Sequence, residues 1–116
     1  MTSPLNPSRN NPEANPSRSL AFPKLNGLQP TLESTTLKLM EETGELAQAI
    51  GKHRGLSGEA TVMAADESLQ RIAEELLDVA QTAATMMYVL EERHAVDLSA
   101  LLDAHVAKLK LKGYLK

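Results

Sequence analysis

The sequence predicts an all-α fold: a small helical bundle completed by dimerisation and preceded by an N-terminal arm. All six prolines lie within the first 30 of the 116 residues, so the chain beyond Pro30 lacks the strongest helix-breaking residue. In that region leucine, isoleucine, valine, alanine and methionine recur at steps of three and four, the period of a buried helix face. Aromatic residues make up only 3%, so the predicted core is aliphatic.

The arm, residues 1–30, is rich in proline, asparagine and serine. Such a segment buries too little apolar surface to offset the entropy lost on ordering, so we predict disorder over 1–18. Leucine and phenylalanine appear from residue 19 onward, which predicts an extended strap over 19–30. The helical domain then spans 31–116.

The first helix is predicted from about Leu32 to Arg54, with Thr31 as its N-cap and Gly55 as its stop. Alternating steps of four and three residues define its predicted buried seam. That seam contains Leu32, Thr36, Leu39, Thr43, Leu46 and Ile50.

A short helical turn is predicted at 59–65, followed by a second helix from Asp66 or Ser68 to about Arg93. The second helix is apolar on nearly all sides, which predicts a central position with partners on two sides. The third helix is predicted to begin after Asp97, an N-cap residue, and to end at Gly113. Three helices form a small core, so we expect a homodimer or homotetramer to complete the burial.

Charge and composition exclude several classes of protein. The net charge of −3 and a pI of about 5.6 argue against a binder of nucleic-acid polymers, which carries a basic face. No apolar run is long enough to span a membrane, and the N-terminus lacks the apolar core of a secretory signal. The chain has no cysteine, which fits a reducing compartment, and we expect a cytoplasmic protein.

Carboxylates are concentrated on the two longest predicted helices. Glu42 and Glu45 lie three residues apart on the first helix, at the border of its predicted buried face, while Glu41 points further toward solvent. The second helix repeats the spacing with Glu75 and Asp78, and Asp78 has apolar neighbours in the sequence. A solvated acidic face is the ordinary explanation of one such pair, but two pairs on adjacent apolar helices point to a shared site.

Four converging carboxylates require protonation, pairing with cations, or a metal ion, because an uncompensated buried charge costs several kcal/mol. The cations nearest in sequence are too few to neutralise the cluster and also bind a ligand. An all-oxygen ligand set suits a hard cation, Mg²⁺ or Mn²⁺. Di-iron bundles use Glu-x-x-His pairs, whereas the third position here holds glutamate or aspartate, which favours magnesium over iron.

The pattern EETGE followed by ELLD resembles the EExxE…ExxD signature of the MazG-like all-α nucleoside triphosphate pyrophosphohydrolases. The surrounding segments EETGELAQAI, GKHRG, EELLDV and KLKLKGY are also similar, and the resemblance covers about residues 32–114. It implies a MazG-like helical bundle that forms dimers or dimers of dimers. It also implies hydrolysis of a (d)NTP to (d)NMP and pyrophosphate with Mg²⁺, in nucleotide-pool control or house-cleaning.

The resemblance also implies roles for the carboxylates. Glu42, Glu45, Glu75 and Asp78 would be the metal ligands. Glu41 would be a further ligand, or would orient or deprotonate the attacking water, so Glu41 and Glu42 are the candidate catalytic pair.

Basic residues provide candidate phosphate contacts, with an ordinary surface role as the alternative for each: Lys52, Arg54, Lys108 and Lys112. Members of the family often carry an asparagine where this chain has His105, which makes His105 a weak candidate for a sugar or base contact. His105 also falls on the apolar side of the third helix, so a role in the core is the alternative.

Two other functions remain open at this stage. One is the phosphoribosyl-ATP pyrophosphohydrolase of histidine biosynthesis, which shares the fold and differs in substrate. The other is a non-enzymatic, metal-binding helical dimer whose carboxylates have a structural role.

Overall fold

A computed structural model of the chain describes residues 19–55 and 65–116, and within these ranges it contains helices and no strand. The helices are α1 (Leu32–His53), α2 (Ala65–Arg93) and α3 (Leu98–Leu111). The predicted all-α class and its three helices are therefore confirmed. No helix in the described ranges combines the length and hydropathy needed to cross a membrane.

Two predictions fall on residues that the structure does not describe. The predicted disorder of 1–18 lies outside the described ranges. The predicted helical turn at 59–65 also lies outside them, apart from Ala65, where α2 begins.

Contacts divide the chain into two compact units, one of which is Phe22–Asp97 with α1 and α2. The described part of the other unit contains residues 19–21 and Leu98–Lys116, which includes α3. The carboxylates singled out in the sequence all belong to the first unit.

Local sequence signals set both ends of α1. The Thr31 hydroxyl accepts a hydrogen bond from the Ser34 amide at 3.0 Å, and the Ser34 hydroxyl accepts one from the Thr31 amide at 2.8 Å. This reciprocal capping box satisfies two amides that the helix itself leaves unpaired. At the other end Gly55 has φ +71°, a left-handed conformation that favours glycine, and its amide bonds the Lys52 carbonyl.

The helices α1 and α2 pack along a seam of small and polar residues. The buried positions recur every seven residues on each helix, as in a coiled-coil interface. On α1 they are Thr35, Glu42 and Ala49, and on α2 they include Ser68, Glu75, Thr82 and Val89. His53, at the end of α1, lies 2.5 Å (Nδ1 to Oγ) from Ser68 near the start of α2, so the two helices run antiparallel.

The predicted seam on α1 was wrong in its orientation. Thr36, Thr43 and Ile50 are exposed, and Ile50 has 44% of its surface accessible. The observed seam is rotated by about 80° from the predicted one, toward the carboxylates, when positions are placed 100° apart. Hydropathy favoured the aliphatic positions, whereas small side chains allow the two helix axes to approach and are therefore the ones that become buried.

Outer faces of both helices carry large apolar side chains. Leu76 and Leu77 on α2 are 50% and 54% exposed, and Leu37 and Met40 on α1 are 73% and 60% exposed. The prediction that α2 is apolar on two sides is consistent with this distribution. The homodimer or homotetramer that would cover these faces stays a prediction.

Residues 22–30 of the strap lie along α2 without helix or strand. The Gln81 side-chain amide donates to the Pro23 carbonyl at 3.0 Å, and the Tyr88 hydroxyl donates to the Phe22 carbonyl at 3.2 Å. Lys24 forms an ion pair with Glu92 near the end of α2. Residues far apart in sequence therefore hold the strap over one side of the helical pair.

The helix α3 begins directly after Asp97, as predicted, and ends at Leu111. Gly113 has φ +79°, and the Tyr114 amide closes the helix end by donating to the Leu109 carbonyl at 2.9 Å. None of the α3 residues is buried, and Leu101 and Leu102 are each 58% exposed. Leu98, Val106 and Leu109 on the same helix are half-buried.

Candidate metal centre

The centre of the α1–α2 seam holds a group of three carboxylates. Glu42 from α1 and Glu75 and Asp78 from α2 each offer an oxygen, and these oxygens lie within 4.8 Å of one another. Glu42 and Glu75 are buried, with 5% and 4% of their surface accessible. Asp78 is exposed, although its neighbours in the sequence are apolar. Those neighbours lie on the other sides of α2, and Asp78 opens toward a cavity.

Each buried glutamate is paired through one oxygen only. Lys38 Nζ lies 3.0 Å from Glu42 Oε1, and Arg71 Nη2 lies 3.2 Å from Glu75 Oε1. Glu42 Oε2 and Glu75 Oε2 are buried and have no hydrogen-bond partner among the described residues. A buried charged oxygen without a partner costs more than a neutral one, so this arrangement destabilises the seam as it stands.

A hard divalent cation fits this arrangement. The three grouped side chains provide carboxylate oxygens, the ligand type that Mg²⁺ and Mn²⁺ prefer. Glu42 and Glu75 each also carry a buried oxygen without a partner, and a cation held by the two carboxylates would compensate their charge. His53, the histidine nearest the seam, bonds Ser68 at the far end of α1.

Glu45, the fourth predicted ligand, is half-buried beside this group. The negative charge of Glu42 raises the pKa of Glu45 above its ordinary value of 4.5, with further contributions from partial burial and from Glu75. Glu45 is thus close enough to sense both buried carboxylates. On the opposite side, hydrogen bonding to Glu42 and the charge of Glu41 raise the pKa of Lys38.

The pKa of Glu45 leads to a prediction about the metal-free protein. An acid whose pKa is higher in the folded state holds its proton longer there, so the free energy of unfolding falls as pH rises from 4.5 through the raised value. We expect thermal melts without divalent ions to show this fall. Glu45→Gln should remove the part of this pH dependence that comes from Glu45. Saturating Mg²⁺ should make the free energy of unfolding depend less on pH. A slope unchanged in the variant would contradict the assignment.

Glu41 lies apart from the buried group. Its side chain is 59% exposed and its Oε1 is 3.7 Å from Lys38 Nζ, so it shares a counter-ion with Glu42. This matches the prediction that Glu41 points further toward solvent than Glu42.

The acidic group lies between two cavities. Glu42 and Asp78 line a cavity of about 470 Å³ beneath the strap, here called the strap cavity. Glu45 and Glu75 line a cavity of about 360 Å³ on the other side, here called the cationic cavity. The remaining lining residues of the cationic cavity are Gln48, Ala49, Lys52 and Arg71.

Of the predicted phosphate contacts, only Lys52 is shown beside the acidic group, where it lines the cationic cavity. Arg54 is exposed at the C-cap of α1. His105 and Lys108 lie on α3 and Lys112 directly follows it, in the other compact unit, and all three are exposed. His105 is thus not buried within the single chain.

Arg71 is a residue that the sequence interpretation did not assign to the site. It bonds Glu75 and lines the cationic cavity, so it combines a role at the carboxylates with access to a ligand. Its position four residues before Glu75 on the same helix was the available signal, because such pairs face each other.

An antiparallel helical pair with a shared, partly unpaired carboxylate group is an all-α arrangement that could hold a metal ion. The family model for the MazG nucleotide pyrophosphohydrolase domain matches residues 30–112. This match covers well over half of the chain, and the chain belongs to the MazG family. No curated protein and no solved structure shows significant similarity to the chain.

Proposed function

We propose that this protein is a Mg²⁺-dependent nucleoside triphosphate pyrophosphohydrolase that converts a (d)NTP to the (d)NMP and pyrophosphate. The observation that carries the proposal is the pair of buried glutamates with unpaired oxygens, beside Asp78, within a MazG domain. In the reaction, water adds across the phosphoanhydride between the α and β phosphorus atoms. The water oxygen ends on one product, and the bridging oxygen leaves with the other.

The proposed metal ligands are Glu42, Glu45, Glu75 and Asp78. The bound Mg²⁺, or Mn²⁺ in its place, would supply charge screening of the triphosphate and activation of water. The chain's own contribution is to hold these carboxylates ready on two packed helices. Rigid helices position such ligands more accurately than loops do.

Glu41 is proposed to orient or deprotonate the attacking water, or to act as a further ligand. Its exposure and its position next to Glu42 support a role at the outer side of the site. A carboxylate at this edge can accept a proton and pass it to solvent, whereas the buried Glu42 is suited to hold a cation.

Phosphate groups are proposed to contact Lys52 and Arg71 in the cationic cavity. Arg71 offers a planar, multi-donor group suited to phosphate oxygens, and Lys52 provides a point charge. Arg54, Lys108 and Lys112 stay further candidates for phosphate contacts, and His105 stays a candidate for a sugar or base contact.

A homodimer or homotetramer is proposed to cover the apolar outer faces of the helices. Half-exposed leucines and methionines on α2, among them Leu76, Leu77 and Met87, support this proposal. A single pair of helices leaves too much apolar surface accessible for a stable soluble unit.

The test is a hydrolysis assay of the full chain on a panel of ribo- and deoxyribonucleoside triphosphates. We expect Mg²⁺-dependent release of equimolar nucleoside monophosphate and pyrophosphate from at least one of them, and loss of activity on adding EDTA. Release of orthophosphate instead would reject the proposed cleavage position. Absence of turnover on every nucleotide with Mg²⁺ or Mn²⁺ would reject the enzymatic function.

A further inference from the structure

The strap cavity is the largest described space that reaches the acidic group. Its volume of about 470 Å³ falls within the range of roughly 300–1,000 Å³ that small-molecule sites occupy. Leu25 and Leu28 of the strap form one wall, while Gln81 and Thr82 of α2 face the same space. The cavity is thus mainly aliphatic on one side and carries polar groups on the other.

The polar groups along α2 and α1 are already arranged as acceptors. The Thr82 hydroxyl donates to the Asp78 carbonyl at 2.9 Å, and the Thr35 hydroxyl donates to the Thr31 carbonyl at 2.7 Å. The Gln81 amide nitrogen donates to Pro23 and to Thr85. These oxygens therefore retain lone pairs for the N–H or O–H groups of a ligand.

The wall formed by the strap is outside the region that the family model matches. That region begins at residue 30, whereas Leu25 and Leu28 precede it. Contacts to Gln81, Tyr88 and Glu92 on α2 hold this wall in place. The strap side of this cavity therefore lies outside the matched family region, whereas the lining residues from α1 and α2 lie within it.

The two cavities match the two ends of a nucleoside triphosphate. One end of such a substrate carries negatively charged phosphates, and the other carries a base and a sugar. The cationic cavity presents Lys52 and Arg71, which suit phosphate oxygens. The strap cavity presents aliphatic side chains, hydrogen-bond acceptors and Lys38. Because the Lys38 amine is already paired with Glu42 and Glu41, the groups left for a ligand suit a planar base with N–H groups and a sugar with hydroxyl groups. The carboxylates lie between the two cavities, where the phosphoanhydride would have to lie for hydrolysis.

We propose that the strap cavity is the nucleoside subsite, with Leu25 and Leu28 of the strap as specificity-determining residues. The substrate then lies with its base and sugar beneath the strap and its terminal phosphates toward Lys52 and Arg71. This inference rests on the proposed pyrophosphohydrolase function, and it assigns the direction in which the substrate is bound.

The test compares Leu28→Ala with Leu20→Ala in the full chain. Leu28 lines the strap cavity and is 67% exposed, whereas Leu20 is 69% exposed, belongs to the same strap and is not among the residues that line that cavity. Both changes remove the same atoms from similarly exposed positions, so neither should unfold the protein. The measurements are kcat and KM for the best nucleotide of the panel, the inhibition constant of inorganic pyrophosphate, and the oligomeric state.

We expect Leu28→Ala to raise KM about tenfold while kcat and pyrophosphate inhibition stay close to wild type. Leu20→Ala should change none of these values. Lys52→Met should weaken inhibition by inorganic pyrophosphate, which Leu28→Ala leaves unchanged, because it removes a positive charge from the cationic cavity.

The outcomes separate the two proposals. Active wild-type enzyme with an unchanged KM in Leu28→Ala would overturn the nucleoside subsite and leave the hydrolase function standing. An equal loss of nucleotide and pyrophosphate affinity would also overturn it, because the strap would then act on the whole site. Wild-type protein without activity on any nucleotide would remove the hydrolase function, and the subsite with it.

Discussion

Glu75→Gln is expected to lower kcat/KM about a thousandfold, because a lost metal ligand removes several kcal/mol of charge stabilisation from the transition state. Glu75 is 4% exposed and has one buried oxygen without a partner. The amide of glutamine keeps the shape of the side chain but lacks the charge that a divalent cation needs. The assay is steady-state hydrolysis of the best nucleotide over a range of Mg²⁺ concentrations.

The matched control is Glu74→Gln, one residue earlier on α2. Glu74 is exposed, and its oxygen lies 4.0 Å from Arg71, so the two glutamates share a cationic neighbour but differ in burial. The control variant should keep its activity and Mg²⁺ dependence. If both variants lost activity equally, the effect would come from the charge around Arg71, and the metal-ligand role of Glu75 would be rejected.

We expect Glu75→Gln to be at least as stable as the wild-type protein in the absence of metal. Glu75 lies against Glu42 and close to Glu45, and removing one of these like charges relieves repulsion in the metal-free protein. We therefore expect Glu75→Gln to have a melting temperature at or above the wild-type value. The expected loss of activity then comes from the lost metal ligand and not from unfolding. A site that destabilises the resting fold and is relieved by its ligand is common at functional centres.

Local signals explain why the helices could be predicted from the sequence. The N-cap at Thr31 and the glycine stops at Gly55 and Gly113 each depend on a few neighbouring residues and on backbone conformation. The carboxylates could be predicted as a group because the same three-residue spacing occurs on two adjacent apolar helices, which a solvated acidic face explains less well than it explains a single pair. These features need no knowledge of how distant segments meet.

Features that depend on tertiary packing were not predicted. The seam was misplaced because Thr35, Ser68 and Thr82 are polar and small, and hydropathy ranks such residues as surface. The strap cavity depends on contacts such as the bond from Gln81 to Pro23, which are 58 residues apart in sequence. The pairing of Arg71 with Glu75 depends on side-chain conformations that a sequence pattern does not specify.

Arg71→Met is expected to lower the free energy of unfolding of the metal-free protein by about 1–2 kcal/mol, because it leaves both oxygens of the buried Glu75 without a counter-charge. The expected loss is smaller than the usual cost of removing one partner of a buried ion pair, because the Arg71 side chain is 58% exposed and its charge is screened by water. Chemical denaturation in EDTA measures this loss.

Saturating Mg²⁺ should restore most of the stability lost in Arg71→Met. A cation bound by the folded state alone stabilises it by about 2.7 kcal/mol at a concentration of 100 times Kd, which exceeds the expected loss. The Arg71 guanidinium then balances the charge of Glu75 in the metal-free protein, and the cation balances it in the metal-bound protein.

The double variant Arg71→Met/Glu75→Gln provides the control for this exchange. With Glu75 neutral, removal of Arg71 should cost little, and the coupling between the two changes measures their interaction directly. Mg²⁺ should stabilise this double variant less than the wild type. Equal destabilisation by Arg71→Met with and without Mg²⁺ would mean that no cation reaches Glu75, and the buried carboxylates would then be a structural ion-pair network.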